Sequence, residues 1–330
     1  MIILKLNNEG CKQARAGLLN STILNEDCRQ VNDMLLVKEA SVAENIDECF
    51  VADRITDLPE YALASRKLKP ESTEIICGND LIGGEDLTII AGPCAIESYE
   101  QINRIAGSLA EMGIRFLRGG AYKPRTSPYS FQGLKGEGLE YLNRMKEKYG
   151  SKIVTELMTA DHLDEVADVA DIIQVGSRNM YNYSLLEALG KVNKPVLLKR
   201  GMSAKMNDFL LAAEYILTHG NPHVIFCERG ISTFETATRN TLDLNVVPYI
   251  KQHSHLPIIV DPSHGTGIRS LVTPMSLAAI ACGADGLEIE VHDQPDKALS
   301  DGPQSLTISQ MKGLLLQLEA YKHIRKEQLV

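Results

Sequence analysis

The sequence predicts an α/β fold, a (β/α)8 TIM barrel preceded by a small α+β N-terminal domain. Three observations carry this expectation. Short apolar runs recur from about residue 87, stretches with helical spacing lie between them, and the first 70 or so residues follow a different rhythm. The apolar runs are LTIIAG (87–92), IRFLRGG (114–120), KIVTEL (152–157), IIQVGS (172–177), PVLLKRG (195–201), VIFCERG (224–230), PIIVDP (257–262) and GLEIEV (286–291). Runs this short and this apolar fit parallel strands covered on both faces. GLEYLNRMKEKYG, DFLLAAEYILTHG and PMSLAAIACG carry helical spacing between them, and each ends in glycine, a common helix stop. Strand and helix alternating eight times over about 240 residues is the pattern of a closed barrel. An open doubly wound sheet would carry fewer strands and a glycine-rich first turn, which AGPCAIES is not.

Ahead of the barrel, MIILKL, MLLVKEA and CFVAD read as strands, with helices expected near CKQARAGLL and LPEYALASRKL. That βαββα order suggests a ferredoxin-like, split-βαβ domain over residues 1–70, incomplete in its last strand, before a catalytic barrel over 71–330. The segment ESTEIICGNDLIGGE (71–85) could complete the N-terminal sheet or form a hairpin capping the barrel bottom, and it is too short for both.

The composition is that of a globular protein, 44% apolar and 23% charged, and the net charge of -9 argues against nucleic acid or an anionic membrane as partner. Seven scattered cysteines without a CxxC pair point to a reduced, cytoplasmic compartment and to no zinc knuckle. Neither a secretory signal nor an apolar run approaching about 18 residues is expected.

In such a barrel the chemistry gathers at the C-terminal ends of the strands. The residues there fall into two sets. One is cationic: Arg118, Lys123, Arg125, Arg178, Lys199 and Arg229. Six positive groups around one mouth repel one another unless anions neutralise them, and so many fit two phosphates, or a phosphate and a carboxylate besides. Lys123 and Arg125 lie in AYKPRTSPYSFQGL (121–134), where Pro124 and Pro128 stiffen the loop and Thr126 and Ser127 add neutral donors. The other set is Cys94, His264, Glu290 and Asp301, a mixed thiol, imidazole and carboxylate group that could take Mn²⁺, Fe²⁺, Co²⁺ or Zn²⁺. Asp261 and His292 are expected behind these four, orienting them.

Taken together, AGPCAIES, RGGAYKPRTSPYSFQGL, VGSRN, LLKRG, CERG, DPSHGTG and the late SDG resemble the 3-deoxy-D-arabino-heptulosonate 7-phosphate (DAHP) synthases, in the branch related to the 3-deoxy-octulosonate 8-phosphate (KDO8P) synthases. The resemblance covers about residues 85–305. It implies condensation of phosphoenolpyruvate (PEP) with erythrose 4-phosphate, the first step of the shikimate pathway to chorismate and the aromatic amino acids. It further implies that Arg118, Lys123 and Lys199 hold the PEP carboxylate, and that Arg178, Arg229 and the backbone at Ser177 hold its phosphate, with Lys199 bridging the two. Pro124, Arg125 and Thr126 would meet the aldose phosphate, Glu156 would lie beside PEP, and Cys94, His264, Glu290 and Asp301 would bind one divalent metal ion, Asp301 also facing substrate. Lys123, Glu156, Lys199 and His264 are the expected catalytic residues. Family habit adds a homotetramer and a tyrosine or phenylalanine effector. The loop KPRTS favours erythrose 4-phosphate, whereas the KDO8P synthases, which use arabinose 5-phosphate, look more like KANRSS there. Two other readings stay open: a Schiff-base aldolase using Lys199, and a catalytically dead metabolite sensor.

Overall fold

The computed structural model describes residues 1–15, 28–38, 43–44, 46–123 and 127–328. Each of the eight apolar runs contains a strand: β7 (Thr88–Gly92), β8 (Phe116–Arg118), β9 (Lys152–Glu156), β10 (Ile172–Val175), β11 (Val196–Lys199), β12 (Val224–Glu228), β13 (Ile258–Val260) and β14 (Gly286–Glu290). All pair in parallel with their sequence neighbours, and β14 returns to β7, Glu290 opposite Gly92, to close the barrel. Outside it run α2 (Tyr99–Glu111), α3 (Gly136–Tyr149), α4 (Leu163–Val169), α5 (Tyr183–Leu189), α6 (Met206–Thr218), α7 (Val246–His253), the short α8 (Pro262–Thr266) with α9 (Arg269–Ala281), and α10 (Ile308–Gln328). The glycine stops act as read. Gly150, directly after α3, takes the left-handed conformation at φ 68° and returns its N–H to Lys146, which ends the helix without a Cβ penalty.

The segment 71–85 resolves to the second of its two outcomes. Strands β5 (Ile75–Cys77) and β6 (Asp80–Ile82) form an antiparallel hairpin. Its inward side chains Ile75, Cys77 and Ile82 share one buried cluster with Ile90, Phe116, Val154, Ile172, Leu197, Ile225 and Ile259 from the barrel interior. The hairpin therefore plugs one end of the barrel, while Ile76 and Leu81 on its other face stay exposed.

The N-terminal sheet is complete without it. Strands β1 (Ile2–Leu6), β2 (Cys28–Val31), β3 (Met34–Val37) and β4 (Val51–Ile55) lie in the order β2-β3-β1-β4, every pairing antiparallel, which is the ferredoxin-like arrangement. Helix α1 (Asn8–Arg15) follows β1. Two expectations need correction. CRQV, at 28–31, is a strand, missed because it is four residues long and places Arg29 and Gln30 in its centre. LPEYALASRKL is a chain of turns, not a helix. The reason lies in its backbone donors: the N–H groups of Leu63 and Ala64 go to the carboxylate of Glu214 on α6, at 2.8 and 3.0 Å, instead of to carbonyls one turn back. The sheet docks on the barrel through Ile3, Val31 and Leu36, which join the barrel core together with Leu58, Ala62 and Leu63. Leu4, Leu6, Cys28, Leu35 and Val37 pack a second small core on the opposite face. Among the described residues no helix is long and apolar enough to cross a membrane.

Glu214 makes this junction pH-sensitive. The side chain is 7% exposed, and burial raises its pKa from 4.5 to about 7, against the pull of its two N–H bonds. A carboxyl that holds its proton more tightly when folded adds stability that is fully present below about pH 4.5 and is lost as pH rises through about 7. The wild-type protein is expected to lose roughly 3 kcal/mol from this group between pH 4.5 and 8, a loss absent from Glu214→Gln. Thermal melting of both proteins across that range checks it, and parallel pH profiles would refute the assignment.

Candidate active site

At the end of the barrel away from the hairpin, one pocket is lined by nine of the residues singled out from the sequence. They are Arg118, Lys123, Glu156, Ser177, Arg178, Lys199, Arg229, His264 and Asp301. Each reaches it because a buried strand ends there and the chain turns outward. Glu156 closes β9, Lys199 closes β11, and Ser177 and Arg178 begin the turn after β10. Gly176 lets Glu156 in: a methyl group at that position would sit 2.0 Å from Glu156 Oε1. Pro124, Arg125 and Thr126 lie outside the described residues.

The floor of the pocket is an ion-pair lattice that the sequence count of cations overlooked. Arg118 Nη1 donates to Glu290 Oε1 at 2.8 Å, and its Nε lies 3.4 Å from Glu288 Oε1. Lys199 Nζ lies 2.9 Å from Glu288 Oε2 and 2.6 Å from Asp261 Oδ2. All five side chains are almost fully buried. Burial alone would push Arg118 and Lys199 toward neutrality. The surrounding carboxylates, Glu288 and Glu290 for Arg118, Asp261 and Glu288 for Lys199, outweigh it and hold both pKa values above their ordinary range. Two of the six cations are thus neutralised from below. Glu288 was legible in principle, because Glu288 and Glu290 sit two apart on one strand and must face the same side.

Lys123, Arg178 and Arg229 are different: they make no ion pair with any described residue. Arg229 is buried, and that burial lowers its pKa from the ordinary arginine value. Other strand-end charges face elsewhere. Arg200 Nη1 binds Glu228 Oε2 at 3.1 Å and Asp243 Oδ2 at 2.9 Å. His292, expected behind the metal-type residues, instead contacts Gln101 at 3.2 Å and Glu97 at 3.5 Å, and touches none of the four.

Cys94, His264, Glu290 and Asp301 do converge, with one donor atom from each lying within 4.8 Å of all the others. Cys94 Sγ is 3.1 Å from Asp301 Oδ2, and His264 Nε2 is 3.4 Å from Glu290 Oε1 and 3.9 Å from Asp301 Oδ2. Asp261 stands behind the imidazole as expected. Its Oδ2 is 2.6 Å from His264 Nδ1, and its Oδ1 accepts the His264 backbone N–H at 2.9 Å. A carboxylate only accepts, so Nδ1 carries the proton and Nε2 is turned toward the other three donors. Against the burial that would raise them, His264 and Arg118 lower the Glu290 pKa, while His264 and Arg239 lower that of Asp301 to about 2. Burial and Glu290 push the Cys94 thiol up to about 12, so it stays protonated unless a strong local cation stabilises the thiolate. Two ionised carboxylates, a fixed imidazole nitrogen and a buried thiol at this spacing fit one divalent ion of borderline softness.

Arg239 and Gln304 escaped the sequence reading. Arg239 lines the pocket from the middle of the long loop after β12, with no strand end to mark it. Gln304 is 2% exposed and reaches Glu290 Oε2 at 2.7 Å. Asp261→Asn is expected to leave Lys199 and His264 without a shared anion, to weaken metal retention by at least about tenfold, and to cost about 3 kcal/mol in stability. Metal content after dialysis and denaturant unfolding check both; unchanged metal content would remove Asp261 from this role.

The chain can be compared with known proteins on this geometry. A profile of the DAHP synthetase I family matches residues 65–327. A phospho-2-dehydro-3-deoxyheptonate aldolase of Thermotoga maritima is 55% identical over 262 residues, 79% of this chain and 78% of that protein. A 2-dehydro-3-deoxyphosphooctonate aldolase of Desulfosudis oleivorans is 33% identical over 276 residues, 78% of this chain and 98% of that protein. The crystal structure of a Thermotoga maritima DAHP synthase superposes with a TM-score of 0.78 at 47% identity, covering 97% of this chain and 96% of that one, so the likeness extends through the N-terminal sheet. With its profile match spanning the barrel and its cationic pocket beside a four-donor cluster, the chain belongs to the DAHP synthetase I family.

Proposed function

We propose that this pocket joins PEP to erythrose 4-phosphate and water, giving DAHP and inorganic phosphate. The observation that carries the reading is the charge left over once internal pairs are counted: among the described residues Lys123, Arg178 and Arg229 line one cavity with no ion pair, beside a cluster suited to a divalent ion. Arg118 and Lys199, held charged by the carboxylates beneath them, meet the PEP carboxylate together with Lys123. Arg178, Arg229 and the backbone at Ser177 take the PEP phosphate. Pro124, Arg125 and Thr126 are assigned to the aldose phosphate through the KPRTS motif.

In this reading PEP C3 forms the new bond to the aldehyde carbon, water adds at PEP C2, and phosphate departs with cleavage of its C–O bond. The cations hold two mutually repelling anions in register, which supplies orientation that free reactants lack. In this reading Glu156, 8% exposed in the pocket wall, takes the proton of the attacking water. Cys94, His264, Glu290 and Asp301 would hold the ion, Mn²⁺, Fe²⁺, Co²⁺ or Zn²⁺, and when bound it supplies Lewis acidity toward the aldehyde oxygen. A cytoplasmic homotetramer, with residues 1–70 as a regulatory domain responding to tyrosine or phenylalanine, completes the proposal on the strength of the family resemblance and of the ferredoxin-like sheet docked on α6.

The test is release of phosphate from PEP with erythrose 4-phosphate or arabinose 5-phosphate, with and without chelator. Turnover is expected with the four-carbon aldose, at least about tenfold above the five-carbon one, and is expected to vanish on chelation. Preference for arabinose 5-phosphate would transfer the reading to the sister reaction. Activity that survives chelation and is trapped by borohydride would transfer it to Lys199 Schiff-base chemistry.

A further inference from the structure

The outer oxygens of the two metal-type carboxylates are both engaged, and by residues joined to each other. Arg239 Nη1 donates to Asp301 Oδ1 at 3.1 Å and to Gln304 Oε1 at 2.8 Å. Gln304 Nε2 donates to Glu290 Oε2 at 2.7 Å. This runs as one continuous chain, Asp301–Arg239–Gln304–Glu290, from the loop after β12 to the loop after β14. It leaves Asp301 Oδ2 facing Cys94, and Glu290 Oε1, which accepts from Arg118 Nη1 at 2.8 Å on the floor side, facing His264. The neighbouring Asn240 donates from Nδ2 to the His264 backbone carbonyl at 2.9 Å, so the same loop also braces the imidazole's strand of chain.

Two further features show that the linkage is built into the fold. Asp301 sits at φ 53°, a left-handed conformation costly for a residue with a Cβ and kept only where surrounding contacts enforce it. Arg239 in turn packs where Gly267 has no side chain: a Cβ there would lie 2.4 Å from Arg239 Cβ, and φ at Gly267 is 72°. The backbone N–H of Arg239 donates to Thr266 at 2.9 Å, fixing the base of the side chain.

We propose that Arg239 and Gln304 form a positioning pair that sets which oxygen of Asp301 and of Glu290 faces the metal, and so couples the two carboxylate ligands. This rests on the reading that the four-donor cluster holds a divalent ion. Each carboxylate has two equivalent oxygens and a free torsion, and an amide or guanidinium donor on one oxygen removes that freedom. Because Arg239 reaches Glu290 only through Gln304, the two residues act on that ligand as a unit, and their losses are not additive.

The full-length protein, stripped of metal by chelator and dialysis, is titrated with Co²⁺ against a chromophoric chelator. Wild type is expected to bind one Co²⁺ with a near-ultraviolet sulfur-to-cobalt band that Cys94→Ser abolishes. Arg239→Ala and Gln304→Met are each expected to weaken Co²⁺ binding about 10- to 100-fold and to change the visible ligand-field bands, with the double variant weaker than either single by much less than the product of the two losses. Arg239→Lys is expected to recover much of the loss. Should Arg239→Ala melt well below wild type without metal, the space-filling Gln304→Met carries the test. Binding within about twofold of wild type with unchanged spectra in the variants that carry the test would overturn the pairing while leaving the metal site standing. Weaker binding with wild-type spectra would overturn it too, as mere loosening. Absence of any Cys94-dependent band in wild type would instead sink the metal site itself, and the pairing with it.

Discussion

A single carboxylate, Asp261, holds the two halves of this site together. One oxygen lies 2.6 Å from Lys199 Nζ and 2.6 Å from His264 Nδ1, so it serves a cation of the anion pocket and a donor of the metal-type cluster at once. It is fully buried, where an unpaired charge would be far too costly to keep. His264 and Lys199 overcome that cost and hold its pKa well below the usual carboxylate range. Its position follows from the barrel: Asp261 comes directly after β13, and its N–H bonds the Glu228 carbonyl at 2.7 Å, extending the strand pairing by one more residue. Register therefore sets the distance between Lys199 and His264, the two side chains that Asp261 joins.

The rest of the barrel separates that demand from stability. At the far end the hairpin β5–β6 fills the cylinder with isoleucines and Cys77, an apolar plug with no chemistry in it. At the active end the interior changes within one or two residues per strand from Leu, Ile and Val to Arg118, Lys199, Glu288 and Glu290. A floor of buried ion pairs is weak as a source of stability, since well-packed apolar residues often do as well. Its value here is direction: paired guanidinium and ammonium groups stay charged and aimed without solvent to hold them.

Much of this was legible in the linear sequence. The eight apolar runs and their glycine-ended helices define the barrel because parallel strands buried on both faces have no other composition open to them. Cys94, His264, Glu290 and Asp301 were readable as a mixed donor set, and Lys123, Arg178 and Arg229 as a cationic one, because each ends a strand or lies in the connection after one. What failed did so for local reasons. CRQV has too few residues to show alternation, and LPEYALASRKL has helical composition but gives its backbone donors to Glu214, more than 140 residues away. Arg239 and Gln304 were invisible because their partners are chosen by the crossing of two long loops, and no period within either loop encodes that crossing. The cations were weighed wrongly, since Glu288 and Asp261 had not been set against Arg118 and Lys199.

That correction strengthens the argument for an anionic ligand. Had all six cations been free, simple repulsion among them would have been the main fact about the pocket, and any counter-ion would relieve it. With Arg118 and Lys199 neutralised from beneath, the remaining field belongs to Lys123, Arg178 and Arg229, three groups carried by the turns that follow three different strands. All three line the pocket that Arg118 and Lys199 also line, a setting that favours an anionic ligand. The four-donor cluster borders the same pocket through His264 and Asp301, so a site for a cation adjoins the one for an anion.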